Sequence, residues 1–308
     1  MSTAAPLYAS APAKLNLTLD ILGIRTDGYH EIRGVFQTIS LADTIAVQPL
    51  AEPQVRLWCS DPALNTPHNT CLRIAALIRR RYAVSSGVLI RLYKRIPHGS
   101  GLGGASSDAY TTARLLRELW RLPMPARELL DIGAAVGADV PFFHTGGCCV
   151  VGGIGERVQP IPVPWDARPF TVLIAMPSTA LSTPQVYAAF DRLHPGHAAA
   201  RACHTDRLLA WCHRMPADGR PPLGNALWDA ARSLLPVLAG MPRALATAGA
   251  RPASMTGSGS AVFGICSDDT HARRCAARLR NAHPGLRLFI ARTLSRRALR
   301  PSVGRSRS

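Results

Sequence analysis

A glycine-rich segment at residues 97–107 constrains the fold of this chain more than any other stretch. It follows an apolar, strand-like run at 88–93 and precedes a helical pattern that starts near Ala109, so strand, loop and helix follow one another. Glycines let the backbone approach a ligand, and the first N–H groups of a helix have no internal partner. We therefore predict an anion site here, with a nucleotide phosphate as the ligand.

Two common phosphate motifs do not fit this segment. Gly99, Gly101 and Gly104 have the spacing GxGxxG, but a Rossmann unit needs a second strand that ends in an acidic residue about 20 residues on. Here the helix leads through 122–125 into another helical pattern. A P-loop is excluded because no Gly-Lys-Ser/Thr follows the glycines. A glycine-rich turn without a ligand remains the alternative.

Composition indicates a folded protein of one large domain or two. The chain has 308 residues, 47% of them hydrophobic, and no apolar run approaches the roughly 20 residues that span a bilayer. Residues 1–13 lack both the basic and the apolar segment of a secretory signal. Eight cysteines without a CxxC pair favour reduced thiols in the cytoplasm, and the Cys203-His204 and Cys212-His213 pairs match no zinc-site spacing.

The net positive charge of the chain favours anionic partners. A net charge of +17 suits nucleotides, diphosphate substrates and nucleic acid alike. Part of the charge lies in a Ser/Arg-rich tail at 294–308, which we predict to be disordered. Only two of the 36 basic residues are lysines, Lys14 and Lys94. Because an ammonium is compact and has a shiftable pKa, Lys14 is a candidate functional group.

Residues 8–22 alternate in polarity, which predicts a strand with an apolar face and a wet face. Leucines occupy the first face, and Asn16, Thr18 and Asp20 the second. A turn signal at 27–28 is followed at once by Tyr29 and His30, an aromatic ring and an imidazole that would suit a flat heterocycle in a pocket.

A carboxylate stands in an apolar setting at Asp139. It follows a helical pattern at 125–136, which Gly137 is placed to cap, and it precedes the apolar residues 140–143. Such a carboxylate is costly to bury unless it is paired, and Lys14 is a suitable partner. The alternative is an aspartate that merely caps or satisfies a loop.

Four separated blocks are similar to the GHMP kinases, in particular to those that act on 4-diphosphocytidyl-2-C-methyl-D-erythritol in the non-mevalonate isoprenoid pathway. The blocks are APAKLNL at 11–17 with DGYH at 27–30, the loop at 97–108, GADVPFF at 137–143, and TGSGS at 256–260. The similarity extends from about residue 8 to 292.

The resemblance implies an α+β, two-domain GHMP kinase fold. The N-terminal domain, residues 8–163, would be of the kind also found in a small-subunit ribosomal protein. The C-terminal domain, 164–293, would be ferredoxin-like, and the tail would follow at 294–308. The active site would lie between the domains.

The resemblance also implies ATP and Mg²⁺ as cofactors and a small-molecule cytidine diphosphate substrate, which would be phosphorylated on its 2-hydroxyl. Asp139 would be the base and Lys14 the neighbouring ammonium. Ser106 would reach the Mg²⁺ held by ATP. ATP would contact Pro97, Gly99, Ser100, Gly101, Leu102, Gly103, Gly104, Ala105, Ser106 and Ser107. The substrate would contact Asn16, Tyr29, His30, Tyr187, Gly257 and Ser258.

Two other functions stay open at this point. One is a different GHMP kinase, of the homoserine or mevalonate type, which is not expected to carry the Tyr29-His30 turn. The other is a basic, RNA-binding module like a ribosomal protein, although we expect no nucleic acid and no membrane partner. We expect a cytoplasmic monomer or homodimer. Ala105 stands where the family has a further glycine, which requires a negative φ at that residue.

Overall fold

A computed structural model describes residues 5–195, 203–214, 219–298 and 304–305. Its strands are β1 (Leu7–Ile24), β2 (His30–Leu50), β3 (Val55–Cys59), β4 (Gly87–Tyr93), β5 (Cys148–Gly153), β6 (Arg157–Pro160), β7 (Thr171–Met176), β8 (Gly224–Asn225), β9 (Ala253–Met255), β10 (Val262–Cys266), β11 (Arg287–Arg292) and β12 (Gly304–Arg305). Its helices are α1 (Thr70–Tyr82), α2 (Gly104–Leu119), α3 (Ala126–Ala134), α4 (Val140–Thr145), α5 (Thr183–Leu193), α6 (His204–Arg214), α7 (Trp228–Leu234), α8 (Met241–Ala248) and α9 (Asp269–Ala282).

The described strands form two sheets. The larger has the order β12-β1-β2-β4-β3, with β5 and β6 continuing from β2 and β8 beside β1. The smaller has the order β11-β7-β10-β9, and all its pairs are antiparallel. Along the chain, β7 is followed by helices α5 to α8, with β8 among them, and then by β9, β10, helix α9 and β11. This is the order of a ferredoxin-like unit with extra elements in its first crossover. The predicted α+β class and the ferredoxin-like C-terminal half are confirmed.

The apolar period of residues 70–82 predicts a helix with arginines near its C-terminal end, and α1 has these bounds. The Asn69 side chain accepts the Cys71 N–H at 2.9 Å and so caps the first turn. Ala83 ends the helix in the left-handed region, and three arginines lie in the last turn, where the helix dipole favours positive charge. The helix packs against α2, which carries the end of the glycine loop.

The predicted wet face of β1 is wrong. Asn16, Thr18 and Asp20 are at most 3% exposed. Helix α6 covers this face, and the Asp20 carboxylate accepts the His204 and Thr205 N–H groups at 3.1 and 2.9 Å, which caps that helix. The covering helix comes from residues almost 200 positions away, so the local pattern could not show the burial.

The prediction of a disordered tail is wrong for its first residues. The Leu294 N–H donates to the Thr38 carbonyl, and the Gln37 side chain donates to the Leu294 carbonyl, both at 2.9 Å. Strand β12 pairs with the start of β1. Residues 299–303 and 306–308 lie outside the described part, as do 196–202 and 215–218.

The change from the first sheet to the second falls between β6 and β7, and we propose residue 163 as the domain boundary. Strands β8 and β12 nevertheless return to the first sheet. Among the described residues, we find no helix with the length and apolar character needed to cross a membrane.

Candidate active site

One cavity of about 940 Å³ collects nearly all the predicted site residues. The glycine loop forms one wall, and β1, α5 and the second glycine segment at 256–260 contribute the others. Ser107 is the exception: its side chain is fully buried on the inner side of α2 and does not line the cavity. The hydroxyl of Ser106, by contrast, belongs to a residue that lines the cavity.

Lys14 and Asp139 meet in this cavity, as predicted. The Lys14 Nζ lies 3.5 Å from Asp139 Oδ2, and the two side chains are 4% and 26% exposed. Nζ also donates to Asn16 Oδ1 at 2.5 Å and lies 4.6 Å from the centre of the Phe36 ring. Burial lowers the pKa of Lys14, and the nearby Asp139 charge opposes that effect.

The Asp139 carboxylate faces Lys14 and does not cap the helix that follows it. It precedes α4, yet within the described part its side chain makes no capping hydrogen bond. The alternative of a purely capping aspartate is therefore wrong. Gly137 does not cap α3 either, because that helix ends at Ala134 and Ala135 is its C-cap residue. A Cβ on Gly137 would lie 2.8 Å from Ser106 Oγ, so glycine is needed for the close approach of the serine.

The loop depends on left-handed glycines. Gly99, Gly101 and Gly103 have φ values of +63°, +76° and +72°. Gly103 precedes α2 without a capping side chain, so the first N–H groups of the helix face the cavity without an internal partner. Ala105 lies in the first turn of α2 and has no positive φ, which meets the condition stated for it. The geometry suits an anion.

Gly103→Ala tests the loop. A Cβ there would lie 2.9 Å from Lys14 Cγ and 3.0 Å from Phe143 Cζ, in addition to the cost of a positive φ. We expect kcat/KM for ATP to fall by about tenfold or more, since left-handed backbone alone costs an alanine roughly 1–2 kcal/mol. Gly285→Ala is the control, because that glycine has no positive φ and no atom within 4 Å of its Cβ position. Equal steady-state kinetics for the two variants would contradict the assignment.

The second glycine segment, residues 256–260, packs closely against the glycine loop at 97–107. A Cβ on Gly101 would lie 2.2 Å from the Thr256 carbonyl oxygen. Asn225 Nδ2 donates to the Met255 and Gly257 carbonyls at 3.1 and 2.9 Å. Sequence reasoning missed this role of Asn225, because its hydrogen bonds span some 30 positions.

The far end of the cavity is aromatic. His30 Nε2 lies 2.7 Å from Asp191 Oδ1, and its ring centre lies 4.6 Å from that of Tyr187. Burial and the Asp139 charge raise the pKa of Tyr187, so its hydroxyl stays protonated. Tyr29 is 61% exposed at the cavity edge. Sequence reasoning missed Asp191, which follows Tyr187 by one helical turn and could have been found by that spacing.

A second buried ion cluster braces the loop and was also missed. Lys94 Nζ donates to Asp43 Oδ2 at 2.5 Å and to Asp108 Oδ2 at 2.7 Å. Asp43 Oδ1 accepts the N–H groups of Arg95 and Ile96, at 2.5 and 2.9 Å. We call these three side chains the Asp43–Lys94–Asp108 cluster. The cluster links residues 94–96, which precede the glycine loop, to Asp108 in the first turns of α2, which follows the loop.

Burial sets the protonation of this cluster. It raises the pKa of Asp108 to about 7, against the opposing charge of Lys94. Burial alone would lower the pKa of Lys94, but Asp108 and Asp43 together raise it. The ammonium therefore stays charged between the two carboxylates.

Comparison with known proteins gives two domain matches. Residues 69–147 match the GHMP kinases N terminal domain, and residues 220–285 match the GHMP kinases C terminal domain. These ranges contain the glycine loop, Asp139 and the second glycine segment.

Relatives match over most of the chain. A 4-diphosphocytidyl-2-C-methyl-D-erythritol kinase of Gloeobacter violaceus is 36% identical over 92% of this chain and 93% of its own length. The kinase of that name from Salinibacter ruber is 38% identical over 87% of this chain and 93% of its own.

Two solved structures have a fold similar to that of this chain. A crystal structure of 4-(cytidine 5'-diphospho)-2C-methyl-D-erythritol kinase superimposes with a TM-score of 0.76 at 33% identity, over 94% of this chain and 99% of the other. Homoserine kinase from Cytophaga hutchinsonii shares the fold, with a TM-score of 0.72 at 17% identity over 99% of both chains. The chain therefore belongs to the GHMP kinases and, among them, to the family of the 4-diphosphocytidyl-2-C-methyl-D-erythritol kinases.

Proposed function

We propose that this chain transfers the γ-phosphoryl group of ATP to the 2-hydroxyl of 4-diphosphocytidyl-2-C-methyl-D-erythritol, in the non-mevalonate isoprenoid precursor pathway. The observation that carries the proposal is the convergence, in one cavity, of the Lys14–Asp139 pair, the glycine loop and the His30–Tyr187 aromatic end. The relatives that match over most of the chain carry the name of this kinase, which supports the choice of acceptor.

The triphosphate suits the loop and the start of α2. Left-handed glycines and unpartnered N–H groups offer donors to phosphate oxygens without side chains in the way. Ser106 is the proposed hydroxyl for the Mg²⁺ that accompanies ATP, since it lines the cavity beside Asp139. Mg²⁺ held there would neutralise part of the charge on the phosphate groups. Ser100, Leu102 and Gly104 lie along the same wall.

Asp139 is the proposed general base. The acceptor is a tertiary alcohol, which attacks phosphorus well only while its proton leaves. The Asp139 carboxylate takes that proton, the hydroxyl oxygen bonds to the γ-phosphorus, and the bond to the β,γ-bridging oxygen breaks to release ADP. Lys14 holds the carboxylate in place and presents positive charge to the moving phosphoryl group.

The cytidine end of the substrate is proposed to bind at the aromatic end of the cavity. His30 and Tyr187 offer ring faces to a cytosine, and Tyr29 closes the edge. Asp191 fixes the orientation of the His30 ring through Nε2. Asn16, Gly257 and Ser258 lie between this end and the loop, near the expected path of the diphosphate.

A comparison of acceptors tests the proposal. The purified protein is given ATP with the cytidylated erythritol, with homoserine or with mevalonate, and ADP release is coupled to an optical assay. We expect turnover with the cytidylated alcohol and kcat/KM lower by several powers of ten for the other two, because they leave the aromatic end unfilled. Preferred phosphorylation of homoserine or mevalonate would overturn the choice of substrate.

Lys14→Arg separates charge from shape. The Lys14 side chain is 4% exposed and contacts Asn16, Phe36 and Asp139 through one compact ammonium, and a wider planar guanidinium cannot keep the same three contacts. We expect kcat to fall on the order of 10²-fold, because small misplacements of a reacting group have effects of that size. Arg232→Lys, which exchanges one cation for the other in an exposed pair with Asp229 outside the cavity, is the surface control. Full activity of Lys14→Arg in initial-rate assays would mean that position 14 needs only a positive charge.

We further propose a cytoplasmic protein that acts as a monomer or homodimer without a nucleic-acid partner. The reduced cysteines and the enclosed anion site support this proposal. Binding of RNA that is tight, strongly salt-dependent and unaffected by ATP would contradict it.

A further inference from the structure

We infer that Cys266, His271 and Cys275 form a metal site that binds one Zn²⁺ ion. One ligand atom from each of the three residues lies within 4.8 Å of the other two. None of them lines the active-site cavity. Cys266 ends β10, and His271 and Cys275 are four residues apart on α9, so one face of the helix meets the end of the strand.

The chemistry of the three groups suits a zinc ion. Cys266 and Cys275 are 2% and 0% exposed. Two buried thiols gain by ionising only next to a cation, and Zn²⁺ with two thiolates and a neutral imidazole is uncharged overall. The two thiol protons pass to solvent when the ion binds. Zinc bond lengths of about 2.3 Å to sulfur and about 2.0 Å to nitrogen require only a small approach of the three atoms.

The surroundings orient the imidazole. His271 Nδ1 lies 3.2 Å from both the N–H and the hydroxyl of Ser267. Nδ1 accepts the Ser267 N–H in this structure, and the Ser267 hydroxyl donates to Asp268 Oδ2 at 3.0 Å. When the metal binds, the proton moves to Nδ1, and the oxygen of the Ser267 hydroxyl accepts a hydrogen bond from Nδ1–H. That arrangement leaves Nε2 unprotonated toward the ion, with a hydroxyl and a carboxylate behind the histidine. The Ser267 N–H contact to Nδ1 is then given up.

Gly249 leaves the space for the ion. It ends α8 with a φ of +112°, and a Cβ there would lie 3.0 Å from Cys275 Sγ and 3.1 Å from His271 Nε2. The sulfur and the nitrogen therefore border the same side-chain-free space. A water molecule can complete four-coordination there.

The test is zinc titration of the full-length protein. The reduced, chelator-treated protein competes for Zn²⁺ with a chromophoric chelator, and we expect one ion per chain. Cys275→Ser should abolish this binding, and Ser267→Ala should weaken it about 10- to 100-fold, the usual effect of losing a group behind a ligand. Cys203→Ser is the control, since that cysteine is exposed and also precedes a histidine.

Two further readouts cover the case in which Cys275→Ser does not fold. Co²⁺ bound to the unmutated protein should show a thiolate-to-metal charge-transfer band, and Zn²⁺ should raise its midpoint of thermal unfolding. Absence of stoichiometric Zn²⁺, equal binding by Ser267→Ala, or a Cys266–Cys275 disulfide in the unreduced protein would each overturn the inference.

Discussion

Replacing Asp139 by asparagine is expected to lower kcat by about 10²- to 10⁴-fold, the range that a general base contributes. The amide keeps the size of the side chain but cannot accept the hydroxyl proton, and it removes the charge 3.5 Å from Lys14. Substrate binding should change little, because the cytidine and triphosphate contacts are made elsewhere in the cavity. Initial rates and an equilibrium measurement of nucleotide binding together check the prediction.

The control for this variant is Asp131→Asn, the same change at an exposed position on α3. It should leave kcat unchanged. If Asp139→Asn turns over substrate at a rate near that of the unmutated protein, Asp139 is not the base. If instead the loss lies entirely in binding, Asp139 serves to hold the substrate rather than to move its proton.

Lys94→Met is expected to lower the free energy of unfolding by about 3–5 kcal/mol, the usual cost of removing one partner from a buried ion pair. Asp43 and Asp108 would remain, 0% and 3% exposed, with no cation between them. Urea unfolding followed by circular dichroism measures the loss. Arg232→Met, which breaks an exposed pair with Asp229, should cost at most about 1 kcal/mol. A similar, small loss for both variants would show that the cluster does not brace the loop.

The Lys94→Met effect should depend on pH in a defined direction. The pKa of Asp108 is raised to about 7 by burial, so the folded state binds its proton more tightly than the unfolded state does. Ionisation of Asp108 therefore costs stability as the pH rises from about 4 toward 7, and more so without Lys94. The urea midpoint of the variant should rise when the pH is lowered from about 8 to about 6. An unchanged midpoint would contradict a buried, titrating carboxyl.

Local signals predicted local structure well. The apolar period of 70–82 and its arginine-rich end gave the bounds of α1, and four glycines between a strand and a helix gave the loop. The Asp-Gly turn before Tyr29 and His30 gave the aromatic end of the cavity. In each case the residues that decide the structure lie within a few positions of one another.

Contacts between distant residues were predicted only where the chemistry demanded a partner. A buried carboxylate at 139 needed a cation, and the scarcity of lysine pointed to position 14. The same scarcity marked Lys94, but nothing in the sequence indicated that Asp43 and Asp108 enclose it. The polar face of β1 was misjudged for the same reason, because α6, which covers it, follows almost 200 residues later.

The most direct measurement is a crystal structure of the protein with a non-hydrolysable ATP analogue and 4-diphosphocytidyl-2-C-methyl-D-erythritol. The 2-hydroxyl oxygen should lie within about 2.6–3.2 Å of an Asp139 carboxylate oxygen and face the γ-phosphorus, with the cytosine against His30 and Tyr187. A hydroxyl turned away from Asp139, or a triphosphate bound outside the glycine loop, would contradict the proposed reaction.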